Sequence, residues 1–214
     1  GMAVFAEEFI AAFDLSRTEL ATAYLIGTMG SAFFLTRAGR WYDMLGARVL
    51  MVAASLGLAV TLLVIGVVDW VSSQLAVVSG LDLSVFSFVL ITLCYFGVRF
   101  TGQGVLTSAS RNVLLVWFER RRGLVSGVRG VFVSLGFSIA PIVLALLIDT
   151  FGWRGGLWVM AAAVGLGFGA IALLMVRDSP SVCGLKVDGL RSDSIDQAVD
   201  ELQPSQGLAE VRRN

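Results

Sequence analysis

The sequence predicts an all-α membrane protein, and three observations carry that prediction. The 214 residues are 57% hydrophobic and only 15% charged, with a mean hydropathy of +0.83, outside the range of soluble domains. The apolar residues come in unbroken runs, not in the short alternating segments of a membrane barrel. The charges gather in the connectors between those runs.

A helix crossing a hydrocarbon core about 30 Å thick needs about 20 residues. Five runs are that long, at 19–38, 49–68, 84–115, 123–148 and 155–176. The first carries Tyr24, Thr28 and Ser31 along one helical face. These either line a polar cavity or bond back to their own helix along a packing seam. The second is an uncharged span. The third exceeds the required length, so it must tilt or project beyond the membrane.

Within that third run Tyr95, Arg99, Gln103 and Thr107 follow at four-residue spacing and make one polar stripe. A water-filled path is its simplest use. Arg99 lies about 15 residues, or about 22 Å, from the start of its run. A guanidinium at that depth costs about 2.5–3.5 kcal/mol on translocon-based scales, so it needs a cavity or a partner. Two readings stand: Arg99 meets an anionic substrate group, or it is a structural arginine bonded to a neighbouring helix.

The fourth run places Gly123, Gly127, Gly130, Ser134 and Ser138 at three- and four-residue intervals. Small residues so spaced let another helix backbone come close, and Pro141 predicts a bend. Arg129 lies only one to two turns into this run and can snorkel to the interface. The five runs hold no carboxylate near the midplane. A proton-coupling site therefore lies elsewhere in the protein or is absent.

The connectors alternate in sign. One set holds Arg37, Arg40 and Arg48, then Arg120, Arg121 and Arg122, then Arg177, Lys186 and Arg191. The other holds Asp69, Asp82 and Asp149, with Arg17 and Arg154 as its cations. Lysine and arginine accumulate on the cytoplasmic side, so the first set is expected there and residues 6–18 outside. Arg120–Arg122 then need no lipid or nucleic-acid partner. The stub at 1–5 lacks the basic start of a signal peptide and reads as the end of a truncated helix. Residues 177–214 read as a cytoplasmic linker, solvated around Asp193, Asp196, Asp200 and Glu201.

Enzyme classes lack their parts. There is no histidine for a triad or a metal centre, no glycine-rich loop with a lysine, and no nucleophile elbow. No cofactor or metal is expected. Cys94 sits in an apolar run and Cys183 in the polar tail, so both read as structural thiols and not as a disulfide.

GRWYDMLGAR, residues 39–48, separates the first two runs, and its Gly39, Asp43, Gly46 and Arg48 resemble the loop after helix two of the major facilitator superfamily. Met44 and Ala47 stand where that family often has basic residues. RFTGQG at 99–104 resembles the arginine and Gln-Gly signature of its helix four, one residue out of its commonest spacing. WFERRRGLVSG at 117–127 resembles the link from helix four to five, and FGWRGG at 151–156 the turn from five to six. RDSPSVCGLKVDG at 177–189 resembles the segment after helix six in monocarboxylate transporters and oxalate/formate antiporters.

The resemblance implies half of a twelve-helix fold, with helices two to six complete, helix one truncated and a C-terminal half as partner. It implies a secondary transporter in the cell membrane that moves a small solute, such as an organic anion, by alternating access. In residues 39–48, Gly39 and Gly46 allow a sharp turn and close approach of neighbouring helices. Asp43 is placed to cap a helix N-terminus or to pair with Arg48, and the resemblance implies that Asp43 latches the inward side against the other half. Gly127, Gly136 and Pro141 fit part of an antiporter pattern, with Leu144 and Ala145 where paired glycines are expected. A half-size transporter acting as a homodimer and a non-transporting scaffold or sensor remain as alternatives.

Overall fold

The computed structural model describes residues 2–79 and 82–178, and every regular element among them is helical. A single tight turn, Met2–Phe5, leads into α1, Ala6–Phe13. Three helices are long and apolar enough to cross a membrane: Arg17–Ile65, Leu83–Trp117 and Arg122–Met175. Two of them contain a residue with non-helical backbone. Gly46 (φ 78°, ψ 167°) divides the first into α2 (17–45) and α3 (47–65). Gly152 (φ 71°, ψ 168°) divides the third into α6 (122–151) and α7 (153–175). Between α3 and α5, Leu83–Trp117, lies α4, Val68–Ser79. Thus α2, α3, α5, α6 and α7 fall on the five apolar runs, in order.

Both breaks use a region of backbone space open essentially only to glycine, where any other residue costs of order 1–3 kcal/mol. They lie at opposite ends of the bundle. The turn expected of Gly39 does not occur there: Gly39 is helical, with nothing within 4 Å of where a Cβ would sit. The reversal falls entirely on Gly46.

The start of α2 is set locally. Ser16 accepts from the Glu19 amide at 3.2 Å, and Glu19 Oε2 accepts from the Ser16 amide at 2.7 Å. This capping box satisfies two amides that the first turn would otherwise leave open. Residues 6–13, expected in an outer loop, instead form α1. The reason is the spacing of Phe5, Phe9 and Phe13, which puts all three rings on one face. All three are at most 1% exposed. Trp153 meets the rings of Phe9 and Phe13 edge-on, at centroid distances of 5.7 and 6.1 Å. Beside this cluster Arg154 pairs with Asp69 at the start of α4.

α5 is held from two sides. A Cβ on Gly27 of α2 would lie 2.8 Å from the Phe96 backbone nitrogen and 2.9 Å from the Thr92 carbonyl, so α2 and α5 touch backbone to backbone. A Cβ on Gly97 would lie 2.8 Å from Thr61 Oγ1 on α3. Ser87 donates to Ser72 Oγ at 3.2 Å and ties α5 to α4. Two stretches, Arg99–Leu106 in α5 and Ala163–Phe168 in α7, are wound as π-helix.

α6 is different. Gly123, Gly127, Gly130 and Gly136 meet nothing within 4 Å, and Ser134 is exposed. The close packing expected along this stripe is therefore not made among the described residues. Pro141 lies inside α6, which continues helical through it.

Candidate functional site

Arg99 opens the π-helical stretch of α5, and α2 supplies its partners. Its Nε donates to Thr28 Oγ1 at 3.1 Å, and its Nη2 donates to the Tyr24 hydroxyl. The guanidinium carbon also lies 4.6 Å from the Tyr24 ring centroid, a cation–π contact. Tyr95 meets Tyr24 edge-on at 5.4 Å and is 3% exposed. The sequence therefore places Tyr24 and Thr28 one turn apart on α2, and the Gly27 contact brings that turn against Arg99.

Tyr24, Tyr95, Arg99 and Gln103 line one cavity of about 610 Å³. Its remaining wall is mostly apolar, including Leu58 and Leu62 of α3, Phe137 and Leu144 of α6, and Met160 and Val164 of α7. Thr107 is not part of the lining. Thr107 Oγ1 donates back five residues to the Gly102 carbonyl at 3.4 Å. Ser31 likewise bonds its own helix, donating to the Thr28 carbonyl at 2.7 Å.

The cavity's charge is one-sided. Among the described residues, no carboxylate lines it. Of its two cations, Arg17 pairs with Glu7, whereas Arg99 has only neutral hydroxyls and a ring as partners. An anion entering here meets one uncompensated positive charge beside apolar walls, where attraction is stronger than in bulk water.

Residues 39–48 lie around the break at Gly46. Asp43 was expected to cap a helix or to pair with Arg48, and it does neither. The Arg48 amide donates instead to Oδ1 of Asp178, just beyond α7, at 3.0 Å. Asp43 is exposed. Burial pushes the Tyr42 phenol above its usual range, and the carboxylates of Asp178 and then Asp43 add to that. Sequence reasoning missed Asp178, which reaches the loop from 130 positions away. Cys94 is buried and free, while Cys183, Lys186, Arg191 and nearly all of the 177–214 linker lie outside the described residues.

Long apolar helices broken by glycine turns, around a cavity with a few polar side chains in its wall, define a multi-pass membrane protein. Residues 2–189 match the family model of the Major Facilitator Superfamily, and the chain belongs to that superfamily. Its members are secondary transporters of small solutes that work within a lipid bilayer, not enzymes. No curated protein and no solved structure matches the chain.

Proposed function

We propose that the protein moves a small organic anion, a monocarboxylate by preference, by alternating access around Arg99. One observation carries this reading: the Arg99 guanidinium lies against a cavity that, among the described residues, no carboxylate lines, and there its donors meet only hydroxyls. A carboxylate can take the place of weaker neutral acceptors, because charge-assisted hydrogen bonds are about twice as strong. Gln103 supplies a further polar contact, and the apolar wall accommodates a hydrocarbon body.

In this reading the Gly46 end is cytoplasmic, the protein is multi-pass in the cell membrane, and Asp43 is the latch toward the other half. The exposed Asp43, flanked by exposed Trp41, Met44 and Leu45, offers a carboxylate with apolar surroundings to such a partner. The test is ligand-induced stabilisation of the purified full-length protein with a panel of monocarboxylates, neutral sugars and organic cations. At least one monocarboxylate raises the melting temperature of the wild type and not of Arg99→Gln. Stabilisation by sugars or cations alone, or equal stabilisation of Arg99→Gln, contradicts the reading.

A further inference from the structure

We propose that Asp178 is the positioning residue of the gate loop, holding the Gly46 turn against the end of α7 while Asp43 stays turned outward. The proposal rests on the gate reading of residues 39–48, and three separate observations support it. The Arg48 amide, in the first turn of α3, donates to Asp178 Oδ1 at 3.0 Å. Amides there have no partner within their own helix, and the helix dipole favours an anion beside them.

The second observation is the crowding at Gly46. A Cβ there would lie 2.7 Å from Asp178 Oδ1, 2.8 Å from its Cγ and 3.0 Å from its Oδ2. Glycine is therefore needed twice at this position, for its backbone angles and for room for the carboxylate. Gly152, with the same backbone angles, has nothing within 4 Å. The carboxylate is what distinguishes the two turns.

The third observation is that Asp178 is itself anchored. Trp117 Nε1, at the end of α5, donates to the Arg177 carbonyl at 3.2 Å. Val176 packs on the cluster of Met51, Ala109 and Ala172, which joins α3, α5 and α7. Asp178 thus couples the loop to the end of α7 as a fixed point. Asp43 makes no hydrogen bond or ion pair among the described residues. The two carboxylates divide the work: one fastens the loop internally, and the other is left for an outside partner.

The test is amide hydrogen exchange of the full-length protein in nanodiscs, followed in peptides covering residues 39–52, with transport measured in parallel. Asp178→Ala is expected to raise exchange at the start of α3 about tenfold or more, as local opening loses its acceptor. Asp178→Asn keeps an acceptor oxygen and is expected to stay within about threefold of wild type, which separates positioning from a general loss of folding. Asp43→Asn is expected to leave exchange there unchanged. Gly46→Ala is expected to harm stability less in the Asp178→Gly background than alone, because the crowding is gone. Unchanged exchange in Asp178→Ala, equal loss in Asp178→Asn, or additivity of the Gly46 and Asp178 substitutions overturns the proposal. Raised exchange in Asp178→Ala with normal transport would instead leave the positioning role standing and refute the gate reading.

Discussion

Arg99 of α5 lies over the ring of Tyr24 on α2, with 4.6 Å between the guanidinium carbon and the ring centroid. The same guanidinium donates from Nε to Thr28 Oγ1 at 3.1 Å. One side of the arginine is thus stacked and one edge is bonded, which a lysine cannot reproduce. Arg99→Lys is expected to lower transport efficiency about tenfold to a hundredfold, on the loss of about 1.5–3 kcal/mol from charge-assisted bonds. Thr28→Val is expected to raise the substrate KM several-fold with kcat little changed. Initial rates over a range of substrate concentration separate the two.

The paired glycine turns give a graded stability prediction. Gly152→Ala meets no neighbour, so it costs only backbone strain, of order 1–3 kcal/mol. Gly46→Ala adds a 2.7 Å approach to Asp178, so its loss is expected to be larger. Asparagine does not rescue either site, because these angles lie outside the left-handed helical region it tolerates. Thermal denaturation in one detergent ranks the variants, and equal losses at the two sites would contradict the geometry.

Phe9 is fully buried between Phe5, Phe13 and Trp153. In a water-soluble core Phe→Ala costs about 3–5 kcal/mol. Within lipid the transfer part is largely missing and mainly packing contacts are lost, so about 2 kcal/mol is expected for Phe9→Ala. A loss well above that, measured by reversible unfolding, would mean that α1 is packed against water.

Asp69 and Arg154 form an ion pair close to that cluster. The Arg154 side chain is 47% exposed, and its guanidinium also lies 4.7 Å from the Trp153 ring centroid. Exposed pairs contribute about 0–1 kcal/mol. A double-mutant cycle of Asp69→Asn and Arg154→Gln is expected to give a coupling in that range, falling as salt is raised.

The parts legible in the sequence were those written locally. Apolar runs mark the spans, and the glycines at Gly46 and Gly152 sit in short charged connectors where reversals belong. Tyr24, Thr28 and Arg99 were visible as polar residues in apolar runs, because such residues need a partner. What escaped was non-local. The π winding at Arg99–Leu106 is no property of RFTGQG alone. It accompanies close packing of Gly97 and Gly102 on α3. Asp178 looked like an ordinary linker charge, since nothing within ten residues of it points to Arg48. Gly39 was assigned a turn by its position in a motif, although one glycine suffices to reverse the chain. The phenylalanines of α1 stand at four-residue spacing, yet residues 6–18 were placed outside from the charge pattern alone, which does not register that spacing.

The most direct test of the central claim is uptake of labelled monocarboxylates by proteoliposomes containing the full-length protein, as wild type, Arg99→Lys and Arg99→Gln. Saturable uptake of at least one monocarboxylate by the wild type, reduced in Arg99→Lys and abolished in Arg99→Gln with both variants still folded, is the predicted result. Both variants transporting at the normal rate and affinity would contradict it.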